Sequence, residues 1–326
     1  MVRPGPLNLI TDVPGLRVGH ATDERVRSGV TALLCPGGWA AAADVRGGGP
    51  GEREVSALAL EGLVGQAHAI VFSGGSVFGL GAGDGATAAL SLMGQGLKLH
   101  PASPFLPIVP TAILHDLGNG GDKAFGLEPP YRRLGIEAVQ AAGESFALGP
   151  VGAGRGAKAG LVPGGIGSAS TMLEDGLVVG ALAAVNPLGS VFMPDRRTYW
   201  AWPFEMDGEF GGARPGPDVV SHEPFPALSR LMTAGRVDKG ANTTLAVVAV
   251  NAALTGPQLK RMAIMAHDGM ARAVHPAHTP FDGDIVFAVA KGDAPVDRHA
   301  DVARIGSAAA DCLARAIARG VYESNR

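Results

Sequence analysis

A layered fold of the α/β (α+β) class is predicted by three observations. Short runs of β-branched and small apolar residues alternate with helical patterns along the chain. Apolar residues make up 46% of 326, enough for a large packed core. No internal repeat with a period of roughly 20 to 50 residues is visible, which removes solenoids and propellers. Taken in order, Thr31 to Leu34 and Ala69 to Phe72 read as buried strands bounded by Gly, Pro or Asp. Glu52 to Val64 and Val77 to Leu92 carry helical spacing, whereas Leu177 to Val185 is again a buried strand. Leu245 to Asn251 and Ile285 to Ala290 read the same way and flank a helix at Pro257 to Val274. That helix has Thr255 as its N-cap, Pro257 in its first turn, and Leu259, Met262, Ala263, Ala266 and Met270 on one face. A last helix spans Val302 to Ala318. The least regular stretch, Met193 to Ala241, holds Trp200 and Trp202 and many prolines. It reads as a long surface segment delivered onto the sheet at one point, and loops of that length in compact domains tend to be functional.

Composition narrows the function. The 49 glycines are roughly twice the average share and lack the period of collagen, so they call for tight turns and close contacts. Only 17% of residues are charged and the net charge is −3, which leaves no electrostatic footprint for nucleic acid. Cys35 and Cys312 are too few for a disulfide framework or a thiolate metal site and read as buried apolar residues. His275 and His278 lack the helical spacing of a zinc site, so neither metal nor cofactor is expected. The first eleven residues contain two prolines and no apolar run of signal-peptide type, and Asn186 and Pro187 interrupt the most apolar stretch. A cytoplasmic protein without a membrane partner is the expectation. Gly152 to Ala157 and Gly74 to Gly79 resemble phosphate loops only superficially, and Ser76 in the latter reads as a helix N-cap.

The junction Asn242-Thr243 stands directly before a strongly apolar strand. Taken alone, it reads as a turn asparagine followed by strand-starting threonines. The alternative is an N-terminal nucleophile, in which the chain is cut before Thr243 and the freed α-amine serves as general base for its own hydroxyl. Downstream, Asp282 and Asp284 lie two residues apart at a strand entrance, so their side chains share a face, as in an Asp-Gly turn or an acidic pair that holds a hydroxyl or an ammonium. Upstream, Asn186 closes the strand that ends at Val185, where it is either a turn residue before Pro187 or an oxyanion donor.

Taken together, Asp12-Val-Pro-Gly-Leu-Arg-Val-Gly-His20, Asp44-Val-Arg-Gly-Gly-Gly-Pro50, Phe72-Ser-Gly-Gly-Ser-Val-Phe-Gly-Leu80, Gly164-Gly-Ile-Gly-Ser-Ala-Ser170, Asn242-Thr-Thr, His267-Asp-Gly269 and His278-Thr-Pro-Phe-Asp-Gly-Asp284 resemble peptidase family S58. That family includes DmpA-type aminopeptidases, β-peptidyl aminopeptidases and nylon-oligomer hydrolases. The resemblance implies an αββα sandwich and a single domain, residues 1–326, that cuts itself into a large subunit, 1–242, and a small one, 243–326. It implies a tetramer of such pairs, acting on small peptides or oligoamides through an acyl-enzyme. Carried over by position, Thr243 is the nucleophile, Asn186 the oxyanion asparagine and Asp282 with Asp284 the acidic pair of the nylon hydrolases. Lys158 matches the active-site lysine, and His115 stands where the nylon hydrolases have a tyrosine. Pro163 departs from the family, many members of which carry lysine there. The alternatives are an acyltransferase of the ornithine acetyltransferase type and an uncleaved, inactive binding protein. On this reading the glycine-rich motifs are tight backbone passages around the Thr243 hydroxyl.

Overall fold

The computed structural model describes residues 2–219, 222–232, 242–293, 296 and 298–326. In chain order the elements begin with β1 (Arg17–Asp23), β2 (Ser28–Val45), β3 (Glu52–Arg53), β4 (Gln66–Ser73), α1 (Gly81–Leu92), β5 (Thr111–Ile113) and α2 (Tyr131–Gln140). They continue with β6 (Lys158–Ala159), β7 (Val162–Pro163), β8 (Gly165–Met172), β9 (Val178–Asn186), β10 (Thr243–Val250), α3 (Gly256–Ala273), β11 (Ile285–Ala290) and α4 (His299–Ser324). Hydrogen bonding joins the main strands in the order β3-β5-β4-β2-β11-β10-β9-β8, with β1 on β2. The sheet is mixed: β10 runs parallel to β11, and β9 antiparallel to β10.

Side-chain alternation divides this path into two stacked layers. On β9, β10 and β11, one face (Val179, Ala181, Ala183, Val185, Ala246, Val248, Val286) packs with Leu259 and Met262 of α3 and Ile305 and Leu313 of α4. The alternate residues, including Leu182, Leu245, Val247, Ile285 and Phe287, meet Leu33, Ile70 and Phe72 of β2 and β4, sheet against sheet. The outer face of β2 and β4 (Val30, Ala32, Ala69, Val71) rests on Ala82 and Ala86 of α1 and Leu134 and Ala138 of α2. The layer order is therefore α-β-β-α. Strand β2, 18 residues long with a register shift between Leu34 and Trp39, serves both layers and links them.

The expected strands and the helices α1, α3 and α4 are present, and the Gln258 side chain accepts the Thr255 N–H at 2.8 Å to cap α3. Glu52 to Val64 is not a helix. It forms β3 and a short 3-10 turn, because Glu54 adopts a left-handed φ of 58° that breaks the helical run. Nor is the irregular stretch purely superficial, since Tyr199, Ala201 and Phe210 are buried in the core beneath α4. Gly75, not Ser76, occupies the cap position of the 3-10 turn that precedes α1. Strand β8 admits α4 closely: a Cβ on Gly167 would lie 1.8 Å from the Ala316 carbonyl. Cys35 and Cys312 are buried and unpaired, and burial pushes the Cys312 thiol up to about 11. Among the described residues no helix is long and apolar enough to cross a membrane.

Candidate active site

Thr243 begins β10 at the end of the sheet where β9 finishes, and the register pairs it with Asn186. Both are buried; Thr243 is 3% exposed and Asn242 fully enclosed. The Thr243 hydroxyl donates to the carbonyl oxygen of Asn242, so Oγ1 lies beside the peptide bond that precedes its own residue. The same carbonyl accepts the Gly283 N–H at 2.9 Å. Only glycine fits at 283, because a Cβ there would come within 2.8 Å of Thr243 Oγ1. Among the described residues neither polar atom of the buried Asn242 side chain has a hydrogen-bond partner. Such a group costs about 1–3 kcal/mol. Lys239 to Ala241, which precede it, lie outside the described residues.

The acidic loop frames this junction from the β11 side. Asn242 and Asp282 form a parallel bridge, and Asp284 Oδ1 accepts the Thr244 N–H at 2.7 Å. Asp284 Oδ2 takes both the N–H (3.1 Å) and Nδ1 (2.8 Å) of His278, whose backbone is held at a φ of 56°. Asp282 Oδ1 accepts the Leu188 N–H at 3.0 Å, and its Oδ2 takes the Thr279 N–H and hydroxyl at 2.9 and 2.5 Å. The Asp284 carboxylate thus binds the backbone just after Thr243, the Asp282 carboxylate ties its own loop to Leu188, and the Thr243 hydroxyl is left to the Asn242 carbonyl. Burial first and the neighbouring Asp284 charge second push the Asp282 carboxyl up to about 6. The His278 ring meets His267 edge-on at 4.8 Å between centroids. His267 Nε2 lies 2.9 Å from the Asp44 carbonyl, which assigns its proton to that nitrogen, and burial lowers the ring to about 4.

On the other side, Asn186 ends β9 with its side chain engaged. Oδ1 accepts the backbone N–H of Lys158 at 2.9 Å and Arg230 Nη2 at 2.9 Å, while Nδ2 reaches the His115 carbonyl at a long 3.4 Å. Lys158 and His115 therefore meet Asn186 through their backbones, and the Lys158 side chain is exposed. Pro163 sits directly opposite Lys158 on the β6–β7 hairpin. Asp116, next to His115, accepts the Gly75 N–H at 2.8 Å, and its burial raises its carboxyl. The glycine motifs do gather here in part: a Cβ on Gly47 would collide with the Asp282 carbonyl and the Asp284 N–H, and one on Gly164 with the Val185 carbonyl.

Sequence reasoning missed two contributors. One is the Gly283 N–H, a backbone donor hidden inside an Asp-Gly-Asp turn. The other is Arg230, brought to Asn186 from the irregular stretch; burial lowers its guanidinium to about 10 against the opposing pull of Asp282. No local pattern announces either contact.

Solved structures share the fold. A beta-aminopeptidase of Burkholderia sp. matches over 98% of this chain and 88% of its own, with a TM-score of 0.73 and 22% identity. The L-aminopeptidase D-Ala-esterase/amidase of Ochrobactrum anthropi, described as a variant of the Ntn hydrolase fold, matches over 98% and 86% with a TM-score of 0.68 and 21% identity. The fold is that of the Ntn hydrolases. The chain belongs to peptidase family S58, whose profile matches residues 8–326, and is a hydrolase of peptide or amide bonds. An uncharacterized aminopeptidase of Mycobacterium tuberculosis (strain ATCC 25618 / H37Rv) is 40% identical over 338 residues, covering 98% of this chain and 94% of that protein. A 6-aminohexanoate-oligomer endohydrolase of Paenarthrobacter ureafaciens is 30% identical over 286 residues, 85% and 73% of the two chains.

Proposed function

We propose that this protein is a self-processing N-terminal threonine amidohydrolase that cleaves small peptides or oligoamides through an acyl-enzyme on Thr243. The observation that carries the reading is the Thr243 hydroxyl on the Asn242 carbonyl, with the Gly283 N–H on the same oxygen. In the first reaction Oγ1 attacks the Asn242 carbonyl carbon, and the oxyanion is held by the Gly283 N–H. Collapse expels the Thr243 nitrogen, giving an ester to Asn242 and a free amine. Water hydrolyses the ester and leaves fragments 1–242 and 243–326. Loss of the unpartnered Asn242 side chain from its enclosure favours this direction.

The mature site uses the same hydroxyl. The new α-amine has an ordinary pKa of about 8, and as free base it takes the Thr243 proton during attack. Asp284 holds the strand start on which amine and hydroxyl ride, Asp282 fixes the loop beside it, and their negative field favours an ammonium, whether that of Thr243 or of an aminopeptidase substrate. Asn186 Nδ2 donates to the oxyanion of the substrate carbonyl. Lys158 and His115 shape the Asn186 side of the site through their backbones. The names of the relatives, aminopeptidase and 6-aminohexanoate-oligomer endohydrolase, support peptide and oligoamide substrates for this chain. A tetramer of processed pairs in the cytoplasm completes the proposal.

Acid quenching during turnover of a chromogenic amide, followed by peptide mapping, tests the acyl-enzyme. The acyl mass is expected on the peptide that begins at Thr243. A covalent adduct on any other residue, or undiminished turnover by Thr243→Ala, overturns the assignment.

A further inference from the structure

The two ends of an asparagine amide have the same shape and differ only in whether they donate or accept, so an oxyanion donor of this type works only if something fixes its orientation. At Asn186 two donors converge on one atom: the Lys158 N–H and Arg230 Nη2, each 2.9 Å from Oδ1. A flipped amide would set its NH2 against both. Arg230 is itself pinned, with Nη2 on the Lys158 carbonyl at 2.5 Å and Nε on the Gly160 carbonyl at 3.1 Å. The guanidinium therefore cannot swing away without breaking its bonds to the Lys158 and Gly160 carbonyls.

We propose that Arg230 is the positioning residue of this site: it locks the Asn186 amide with Nδ2 toward the carbonyl under attack and strengthens Nδ2 as a donor. The strengthening follows because a cation on Oδ1 withdraws electron density from the amide nitrogen, and a charge-assisted bond is roughly twice as strong as the neutral Lys158 bond beside it. The role also gives a purpose to a residue of the irregular stretch, which reaches the end of β9 through Arg230. It rests on the reading of Thr243 as nucleophile and Asn186 as oxyanion donor.

A double-mutant cycle on kcat separates positioning from general structure. The wild type, Arg230→Ala, Asn186→Ala and the double variant are compared on one small chromogenic amide, with rates normalised to the processed fraction by intact mass. Arg230→Ala is expected to lower kcat about tenfold with KM nearly unchanged, and less than about twofold when Asn186 is already alanine, because residues that act through one another are not additive. Arg230→Gln, which keeps an amide donor without the charge, runs the same cycle and serves if the alanine variant does not fold. Equal losses in both backgrounds, or a wild-type kcat without Arg230, overturn the role. Thr243→Ala measured alongside keeps the two readings apart: activity there overturns the nucleophile, whereas its loss together with an additive cycle overturns Arg230 alone.

Discussion

Arg315 and Asp282 are both fully buried, and the company each keeps differs in sign. Arg315 on α4 faces Glu209 at 2.5 and 3.0 Å and three neutral acceptors, the Ser170 carbonyl, Thr171 Oγ1 and Asn8 Oδ1, each at 2.9 Å. Asp282 faces neutral donors and a second carboxylate, Asp284; burial first and that second charge after it drive its pKa up. Matched charge holds elements together. Mismatched charge leaves a group poised to change protonation, which is why perturbed pairs of this kind gather at reacting centres. The matched cluster has a second consequence under the proposed cleavage. Arg315 would belong to the small fragment and Asn8, Ser170, Thr171 and Glu209 to the large one, so the ion pair would tie the processed halves.

The largest effect is expected at the matched cluster. Arg315→Ala leaves the buried Glu209 carboxylate to Arg319 at 3.6 Å and Asn8 Nδ2 at 2.6 Å, and should cost about 3 kcal/mol in denaturant unfolding of the uncleavable Thr243→Ala chain. Replacing both partners, Arg315→Met with Glu209→Leu, should recover more than half of that loss; no recovery would mean that the neutral acceptors, not the ion pair, carry the cluster. The acidic pair should behave in the opposite way. Asp282→Asn is expected to lower kcat by roughly 100-fold, the cost of about 1 Å of misplacement at a reacting centre, because the loop it ties to Leu188 and Thr279 borders Thr243, while the fold persists at neutral pH.

The smallest effect is a change of slope. Because the Asp282 carboxyl binds its proton more tightly folded than unfolded, its stabilisation is fully present below its unfolded value of 3.8 and is lost as the pH rises through about 6. The melting temperature of Thr243→Ala/Asp282→Asn should therefore gain on that of Thr243→Ala between about pH 4 and pH 7. His267, lowered to about 4, acts in the opposite sense but is common to both chains and cancels. A constant difference across that range would contradict the mismatch.

The sequence-based reading succeeded where burial is continuous. Leu177 to Val185, Leu245 to Asn251 and Ile285 to Ala290 are β-branched or small apolar runs, and each is a strand of the inner layer. Strand β8 was missed because Gly-Ile-Gly-Ser-Ala-Ser has little strand propensity; it is a strand because α4 needs a surface of small residues to approach. Helix α2 was missed as a short segment without a capping side chain. The Glu52 to Val64 pattern had helical spacing but no tolerance for the left-handed residue at Glu54. Of the candidate site, the residues singled out by motif (Thr243, Asn186, Asp282, Asp284) lie together at one end of the sheet. The backbone donor at Gly283 and the long-range reach of Arg230 depend on tertiary placement that no spacing encodes.

Intact mass of freshly purified protein tests the central claim most directly. Wild type should give two species, residues 1–242 and 243–326, and Thr243→Ala one chain of 33.0 kDa. A wild-type chain that stays at 33.0 kDa through prolonged incubation, or the same two fragments from Thr243→Ala, would contradict it.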